Sequence, residues 1–164
     1  MTTARSPLVL AANDGEALWS LGALSTIKAS AAQTAGRFSL MEDLAPRGEV
    51  TPFHVHPDDD ESFYVLAGEL RFYVADGQSF RATAGMFVHI PGGVVHAFAV
   101  DSDTARYLII TTPQHERFHR AISEPAASRS LPPRAPLDMD QIAAACQEHG
   151  VEILGPPPGF DCRP

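Results

Sequence analysis

Two histidines one residue apart and a nearby glutamate are the first residues in this sequence whose types and spacing could do chemistry. The segment FHVHPDDDESFYVLAGE, residues 53–69, contains His54, His56 and Glu61. Residues two apart on a strand point to the same face, so we expect the two imidazoles to project side by side. The proline and aspartates that follow form a turn, which brings Glu61 back beside them. Two neutral imidazoles and one carboxylate are ligands that divalent transition metals accept, and His96 is the candidate for a fourth.

Each of these residues also has an ordinary structural interpretation. A surface strand can carry the pair His54 and His56 without binding a metal, and a single histidine such as His96 is often a hydrogen-bonded residue of a core or its rim. The aspartates at 58–60 fit a solvated turn. The metal hypothesis therefore depends on all four side chains meeting at one point.

The elements that must position these residues are strands. Short segments rich in aromatic and β-branched residues, punctuated by Gly, Pro or Asp, predict strands at 24–30, 37–44, 62–68, 69–76, 78–84, 86–91, 96–100 and 105–111. The sequence Ala75-Asp76-Gly77-Gln78 predicts a hairpin turn. Many short strands at close spacing indicate an all-β sandwich or small barrel.

The pattern changes after Thr112. Helical spacing predicts a helix at 114–123 with Phe118 packed inward, and a Pro-rich linker follows at 124–136. Asp138 with Gln141 forms a capping-box pattern, and Gly150 is typical of a residue that ends a helix. We expect Ile153 and Leu154 to dock on the barrel. The predicted organisation is an N-terminal segment at 1–23, a barrel at 24–112, and helices with a linker packed on it at 113–164.

Composition limits the classes of function. The formal net charge of −8 argues against a nucleic-acid partner, because such proteins present a basic face. Cys146 and Cys162 form no CxxC motif, which argues against a zinc knuckle or a redox pair. The N-terminal apolar stretch is too short for a signal peptide or a membrane span. We therefore expect a cytoplasmic protein with free thiols and no membrane partner.

Two spaced motifs in this chain resemble the cupin superfamily. The first is Gly48, five residues, His54, one, His56, four, Glu61, six and Gly68; the second is Gly85, five residues, Pro91, one, Gly93, two and His96. The resemblance covers residues 48–100 by motif and extends through the predicted strands. The chain departs from the family at Val100, where cupins often have Asn, and this leaves the four candidate ligands unchanged.

The resemblance implies a double-stranded β-helix, or jelly-roll barrel, with one metal inside. It assigns the ligand role to His54, His56, Glu61 and His96. It also implies that Gly68 and Gly85 are turn glycines, and that the Pro91–Gly93 turn aims His96. In detail the chain looks most like the quercetinase-like dioxygenases, both at 56–74 and after the barrel at 113–125. In that group the ligand glutamate is also the base toward the substrate hydroxyl, so Glu61 receives both roles.

A competing motif lies after the barrel. Residues 115–119, HERFH, match the HExxH pattern of zinc proteases, in which a helix places two histidines one turn apart. The helix is short, and the longer protease pattern would need Gly at position 122, which is Ile. We therefore discount a protease and expect His115 and His119 on the solvent face.

Strand parity predicts the wall of a pocket beside the metal. If Glu61 and His96 point inward, residues two apart on the same strands do so as well. The predicted substrate-contacting residues are apolar: Phe63, Val65, Phe98, Phe72 and Phe87. They fit an apolar or aromatic ligand, although they could equally fill a small barrel. For His89 we weigh a hydrogen bond to the site against a structural or exposed position.

Three functions remain open from the sequence. The first is a metal-dependent dioxygenase acting on a phenolic or enolic, flavonol-like compound. The second is a non-oxidative metal-dependent cyclase, isomerase or decarboxylase of an aromatic or polyketide-like intermediate. The third is a cupin that binds a small ligand without turnover. Fe, Ni, Mn, Co, Cu and Zn all suit this donor set. Apolar residues on both faces of the strands at 62–68 and 105–111 predict a homodimer.

Overall fold

Two antiparallel sheets hold most of the chain in the computed structural model, which describes residues 6–160. In chain order the strands are β1 Glu16–Ser20, β2 Ala23–Ala29, β3 Ser39–Pro46, β4 Phe53–Val55, β5 Glu61–Ala67, β6 Glu69–Val74, β7 Ser79–Thr83, β8 Phe87–Ile90, β9 His96–Val100, β10 Thr104–Thr111, β11 Ser123–Pro125 and β12 Glu152–Gly155. The helices are α1 Pro113–Ala121 and α2 Met139–His149. One sheet has the order β11-β1-β2-β3-β10-β5-β8, and the other has the order β12-β4-β9-β6-β7.

The predicted all-β architecture with short C-terminal helices is confirmed. Each of the eight strands predicted between residues 24 and 111 is present, with ends that differ by up to two residues. Of the other four strands, β4 corresponds to the strand expected to carry His54, and β1, β11 and β12 were not predicted. β1 pairs with β2 on one side and β11 on the other, so it joins the sheet from within the predicted N-terminal segment.

Alternation along the strands places the core between the two sheets. β3 alternates strictly, with Ser39, Met41, Asp43 and Ala45 buried. In the middle of the interior four rings pack together, and we call them the aromatic layer: Phe63, Phe72, Phe98 and Tyr107. The ring centroids of Phe63 and Phe72 are 5.0 Å apart, and those of Phe63 and Phe98 are 5.3 Å apart. Burying each phenylalanine contributes roughly 1.5–3 kcal/mol, so this layer is a main source of stability.

Glycine is required at two turns beside the core. Gly68 joins β5 to β6 with a φ of 78°, and a Cβ there would overlap the Thr104 carbonyl oxygen. Gly77 has a φ of 85° in the predicted hairpin between β6 and β7. L residues with side chains rarely adopt this backbone conformation, so both turns depend on glycine.

The two helices form a second apolar cluster outside the sheets. Its buried members are Phe118, Ile122, Ile142, Ala145, Cys146 and Val151. The predicted caps of α2 are confirmed, because the Gln141 backbone N–H donates to the Asp138 carboxylate at 2.9 Å and Gly150 is left-handed with a φ of 71°. Within residues 6–160, no helix is long and apolar enough to cross a membrane. Cys146 is a buried free thiol, and Cys162 lies outside the described residues.

The segment with Ile153 and Leu154, predicted to dock on the barrel, meets it through its backbone and not through buried side chains. These side chains are 42% and 49% exposed. The segment is held by backbone pairing instead, because β12 runs antiparallel to the short strand β4, with Ile153 opposite His54. This pairing fixes the strand that carries the first candidate ligand.

Candidate metal centre

The four side chains singled out from the sequence lie together at one end of the interior. His54 on β4 is the direct cross-strand partner of His96 on β9. Glu61 is the first residue of β5, and His56 follows the end of β4. One potential ligand atom from each of His54, His56, Glu61 and His96 lies within 4.8 Å of the others. We call these four residues the histidine layer; all except the half-buried His54 are buried.

Backbone contacts between two turns hold this layer in place. The Gly93 N–H donates to the His56 carbonyl at 2.9 Å, and the Gly92 N–H donates to the Asp60 carboxylate at 2.9 Å. A Cβ at Gly92 would lie 2.9 Å from the Pro57 carbonyl oxygen, so only glycine allows this approach. The turn before β9 is thereby packed on the turn before β5, and this sets the positions of His96 and Glu61 relative to each other.

Hydrogen bonds to the backbone orient two of the imidazoles. The Nδ1 atom of His54 lies 2.8 Å from the Pro52 carbonyl oxygen, and that of His96 lies 2.9 Å from the Val94 carbonyl oxygen. A carbonyl only accepts, so Nδ1 carries the proton in both rings. Their Nε2 atoms are then directed into the layer, and His96 Nε2 lies 3.2 Å from Glu61 Oε2. Fixing the outer ring nitrogen in this way is how proteins orient histidine ligands of metals.

The two unpaired ring nitrogens of His56 are what a metal ligand would show. Both of its ring nitrogens are buried, and neither has a hydrogen-bond partner among residues 6–160. Buried polar groups are nearly always paired, so two orphaned nitrogens on one ring need an explanation. Three imidazoles and one carboxylate suit the borderline divalent transition metals. The residues present therefore fit a metal ion.

The surroundings of His54 and Glu61 favour the forms of these two groups that bind metals, whereas contact with Glu61 outweighs burial and raises the pKa of His96. Burial, together with the neighbouring His96 and His56, lowers the pKa of His54 to about 3, so its imidazole is neutral. Burial by itself would raise the pKa of Glu61, but His115, His96 and His56 outweigh it and bring the pKa below its ordinary value. Neutral imidazoles and an ionised carboxylate are the forms that bind metals.

The prediction that His115 and His119 face solvent is wrong. His115 is 2% exposed, and its ring centroid is 4.1 Å from that of His56. Three potential ligand atoms, one from each of Glu61, His115 and His119, also lie within 4.8 Å of one another. The inner face of α1 is not defined by apolar residues alone, because His115, Phe118, His119 and Ile122 have the i, i+3, i+4, i+7 spacing of a single helix face. That spacing was the signal that could have found the two histidines.

The glutamate of the HExxH motif is occupied elsewhere. Glu116 accepts hydrogen bonds from the Ala31 N–H at 2.6 Å, from the Ser39 hydroxyl, and from Arg120 Nε at 2.8 Å. These contacts tie α1 to the first sheet, so Glu116 has a structural role. The protease hypothesis stays discounted, because its base would have to be this carboxylate.

Four of the five predicted pocket residues lie in the interior. Phe63, Val65 and Phe72 are fully buried and Phe98 is 5% exposed. The prediction for Phe87 is wrong: its side chain is 58% exposed, because the alternation of β8 turns Val88 and Ile90 inward instead. His89 shares that outer face, and its Nδ1 lies 2.9 Å from the Ser62 hydroxyl.

A buried polar group deeper in the interior was missed from the sequence. Asp43, opposite Tyr107 in the sheet, is 5% exposed although it lies on the inner face of β3. Its Oδ1 and the Tyr107 hydroxyl have no hydrogen-bond partner in the described part of the chain. Burial raises the pKa of Asp43 to about 7. The alternation of β3 places Asp43 inward, but an interior carboxylate contradicts the usual rule that inward residues are apolar.

Comparisons with known proteins agree with this geometry. The family model of the cupin domain matches residues 40–111. Over 153 residues the chain is 28% identical to quercetin 2,3-dioxygenase of Bacillus subtilis (strain 168). The match covers 92% of this chain and 45% of the dioxygenase, so the chain spans less than half the length of that relative.

Two solved structures illustrate the shared fold. The polyketide cyclase RemF from Streptomyces resistomycificus superposes with a TM-score of 0.56 and 23% identity, over 64% of this chain and 78% of the cyclase. A predicted oxalate decarboxylase from Thermotoga maritima superposes with a TM-score of 0.57 and 17% identity, over 63% of this chain and 97% of that protein. At these identities the likeness establishes architecture alone.

Proposed function

We propose that this chain, which belongs to the cupin superfamily, is a metal-dependent dioxygenase that acts on a phenolic or enolic, flavonol-like small molecule. The observation that carries the proposal is the match to quercetin 2,3-dioxygenase over 92% of this chain. The convergence of three imidazoles and one carboxylate supports the metal requirement. The fold itself is the cupin jelly roll, which hosts many unrelated reactions and so does not carry the proposal.

The proposed ligands are His54, His56, Glu61 and His96. When bound, a divalent transition metal would supply Lewis-acid chemistry and a place for O₂ and a substrate oxygen. With neutral imidazoles and one carboxylate, the net charge of the ion and its ligands is about +1. The metal could be Fe, Ni, Mn, Co, Cu or Zn, since this donor set accepts each of them.

Glu61 is also the proposed catalytic base. Its carboxylate is 3% exposed and contacts His96 Nε2 at 3.2 Å. A buried, ionised carboxylate beside the substrate hydroxyl can accept its proton without competition from water.

The aromatic layer supports an apolar substrate. Phe98 is two residues from His96 on β9, and Phe63 is two residues from Glu61 on β5. We propose that Phe63, Val65, Phe72 and Phe98 form the apolar floor against which an aromatic ring would rest. Because three of them are fully buried, contact with a substrate would require these side chains to shift.

The homodimer stays a prediction, and the outer face of the first sheet supports it. Tyr64 and Phe87 are direct cross-strand partners on β5 and β8, and they are 40% and 58% exposed. Ile110 on the adjacent strand β10 is 39% exposed. A second copy of the chain could cover this apolar face. Sedimentation of the wild type against Phe87→Glu tests this, since the charge should produce monomers.

Elemental analysis combined with oxygen uptake tests the proposed function. Purified wild type should contain at least about one equivalent of transition metal, and His54→Ala and His96→Ala should each lose about one equivalent. Wild type should consume O₂ with quercetin, whereas the two variants should not. His89→Ala is the matched control, because this exposed histidine should change neither value. Metal-loaded wild type that turns over phenolic or polyketide-like substrates without O₂ uptake would refute the dioxygenase.

A further inference from the structure

We propose that Glu61, His115 and His119 form a second divalent-metal site. It lies next to the proposed metal site of the histidine layer, which we call the barrel site, and shares Glu61 with it. The inference rests on the proposed function in one respect, because it takes Glu61 to be a ligand of the barrel metal. One ligand atom from each of the three residues lies within 4.8 Å of the other two. Small side-chain adjustments would bring atoms at this spacing to the usual metal–ligand bond length of about 2.0–2.2 Å around one ion.

Helix α1 presents the two histidines as a pair. His115 and His119 are four residues apart, so they lie on the same face one turn apart. Their ring centroids are 4.7 Å apart. The Thr112 hydroxyl accepts from the His115 N–H and caps the helix directly before this turn. A rigid, capped turn holds the pair without the ordering cost that a flexible loop would pay.

A chain of hydrogen bonds fixes the tautomer of His115. The Thr111 hydroxyl donates its single proton to the Asp60 carbonyl at 2.8 Å. It must therefore accept from His115 Nδ1, which lies 2.8 Å away. The remaining nitrogen of His115, Nε2, then carries a lone pair and no proton. A nitrogen with a free lone pair is a potential metal ligand, and His115 lies in the same cluster as the Glu61 carboxylate.

His119 provides an independent orphaned donor atom. Its Nδ1 is buried and has no hydrogen-bond partner within the described range. The carboxylate of Glu116, the nearest acidic group on the same helix, cannot serve it, because Ala31, Ser39 and Arg120 already occupy that carboxylate. A metal shared with His115 and Glu61 would satisfy this nitrogen.

Glu61 can serve both sites because a carboxylate has two oxygen atoms with two lone pairs each, which leaves lone pairs for its proposed role as a base. Paired metal centres bridged in this way hold their ions about 3.5–4 Å apart. The 4.1 Å separation of the His56 and His115 ring centroids sets rings of the two sites side by side. Two divalent ions this close repel each other, so the second site should fill after the first and bind more weakly.

Equilibrium dialysis of metal-free protein against Zn²⁺, followed by elemental analysis, tests the second site. Wild type should bind two equivalents, the second at least about tenfold more weakly than the first. His119→Phe keeps a ring of similar shape without a lone pair, so it should bind one equivalent with the first affinity unchanged. His115→Phe should behave in the same way. His89→Phe, on the outer face of β8, is the matched control and should bind two.

The outcomes separate this inference from the proposed function. Saturation of wild type at one equivalent, or a second equivalent that survives in folded His119→Phe and His115→Phe, overturns the second site alone. A lower affinity of these variants for the first Zn²⁺ equivalent also overturns the second site, since the two histidines would then be ligands of the barrel ion. Wild type that binds no Zn²⁺ overturns the proposed barrel site as well. Circular dichroism of each variant establishes that the protein measured is folded.

Discussion

The histidine layer and the aromatic layer share the strands β5 and β9 but have opposite properties. On β5 the step from Glu61 to Phe63 passes from one to the other, and on β9 the step from His96 to Phe98 does the same. Two residues along a strand span roughly 6.8 Å. Within that distance the interior changes from ligating groups with unpaired nitrogens to rings in van der Waals contact.

This difference shows how a small barrel separates stability from chemistry. The aromatic layer excludes water and lowers the local dielectric, which favours neutral groups beside it. Burial is the main reason that the pKa of His54 falls to about 3. Enclosure within the barrel therefore keeps this imidazole in its ligating form.

Truncating the aromatic layer should have the largest effect on folding. Phe63→Ala removes a fully buried ring that contacts three other rings, so the free energy of unfolding should fall by about 3–5 kcal/mol. Urea denaturation of metal-free protein measures this change. Phe87→Ala is the control, and its exposed ring should cost less than about 0.5 kcal/mol. If folded Phe63→Ala no longer bound metal, the aromatic layer would be needed for metal binding as well as for stability.

The buried carboxylate next to the aromatic layer should make stability depend on pH. The pKa of Asp43 is about 7 in the folded protein against 3.8 for the free group, so the folded state binds this proton more tightly. Stability from this group is therefore full below about pH 4 and declines as pH rises to 7 and above, by up to about 4 kcal/mol. Asp43→Asn should remove this decline. Urea denaturation of wild type and Asp43→Asn from pH 4 to 8 measures the free energy of unfolding at each pH. The same change with pH in both proteins would contradict this prediction.

Changing the histidine layer should affect metal binding more than folding. Glu61→Gln keeps the shape of the side chain but removes its charge, so affinity for Zn²⁺ should fall by more than about 100-fold. Both sites should be affected, since both use this carboxylate. Competition with a chromophoric chelator measures the affinity, with His89→Ala as the control. Affinity equal to wild type would mean that Glu61 is not a ligand.

A change outside both layers should have the smallest effect. Asp138 caps α2 by accepting from the Gln141 N–H at 2.9 Å. Asp138→Ala should reduce stability by about 1 kcal/mol and leave the metal content unchanged. Thermal unfolding and elemental analysis of the same sample test both parts. Loss of metal here would indicate that the α1 and α2 pair controls the histidine layer.

The barrel and its four candidate ligands were predictable because local rules govern them. Alternation along a strand decides which residues share a face, so His54 with His56, and Glu61 with Phe63, could be placed without a structure. The two turns that bring Glu61 and His96 back are short and marked by Pro and Gly. The capping residues of α2 act within one turn of helix, so they were equally predictable from the sequence.

The residues placed wrongly depend on contacts between distant segments. Phe87 faces outward because β8 alternates and pairs with β5 in a register that sets Val88 opposite the buried Phe63 and Phe87 opposite the exposed Tyr64. His115 and His119 face inward because Glu116 ties α1 to Ala31 and Ser39, about eighty residues earlier in the chain. The sequence by itself determined the strand pattern, the jelly roll and the convergence of one histidine pair on Glu61. Only the tertiary structure decided that a second pair reaches the same carboxylate, because a helix can present any face until its docking partner is known.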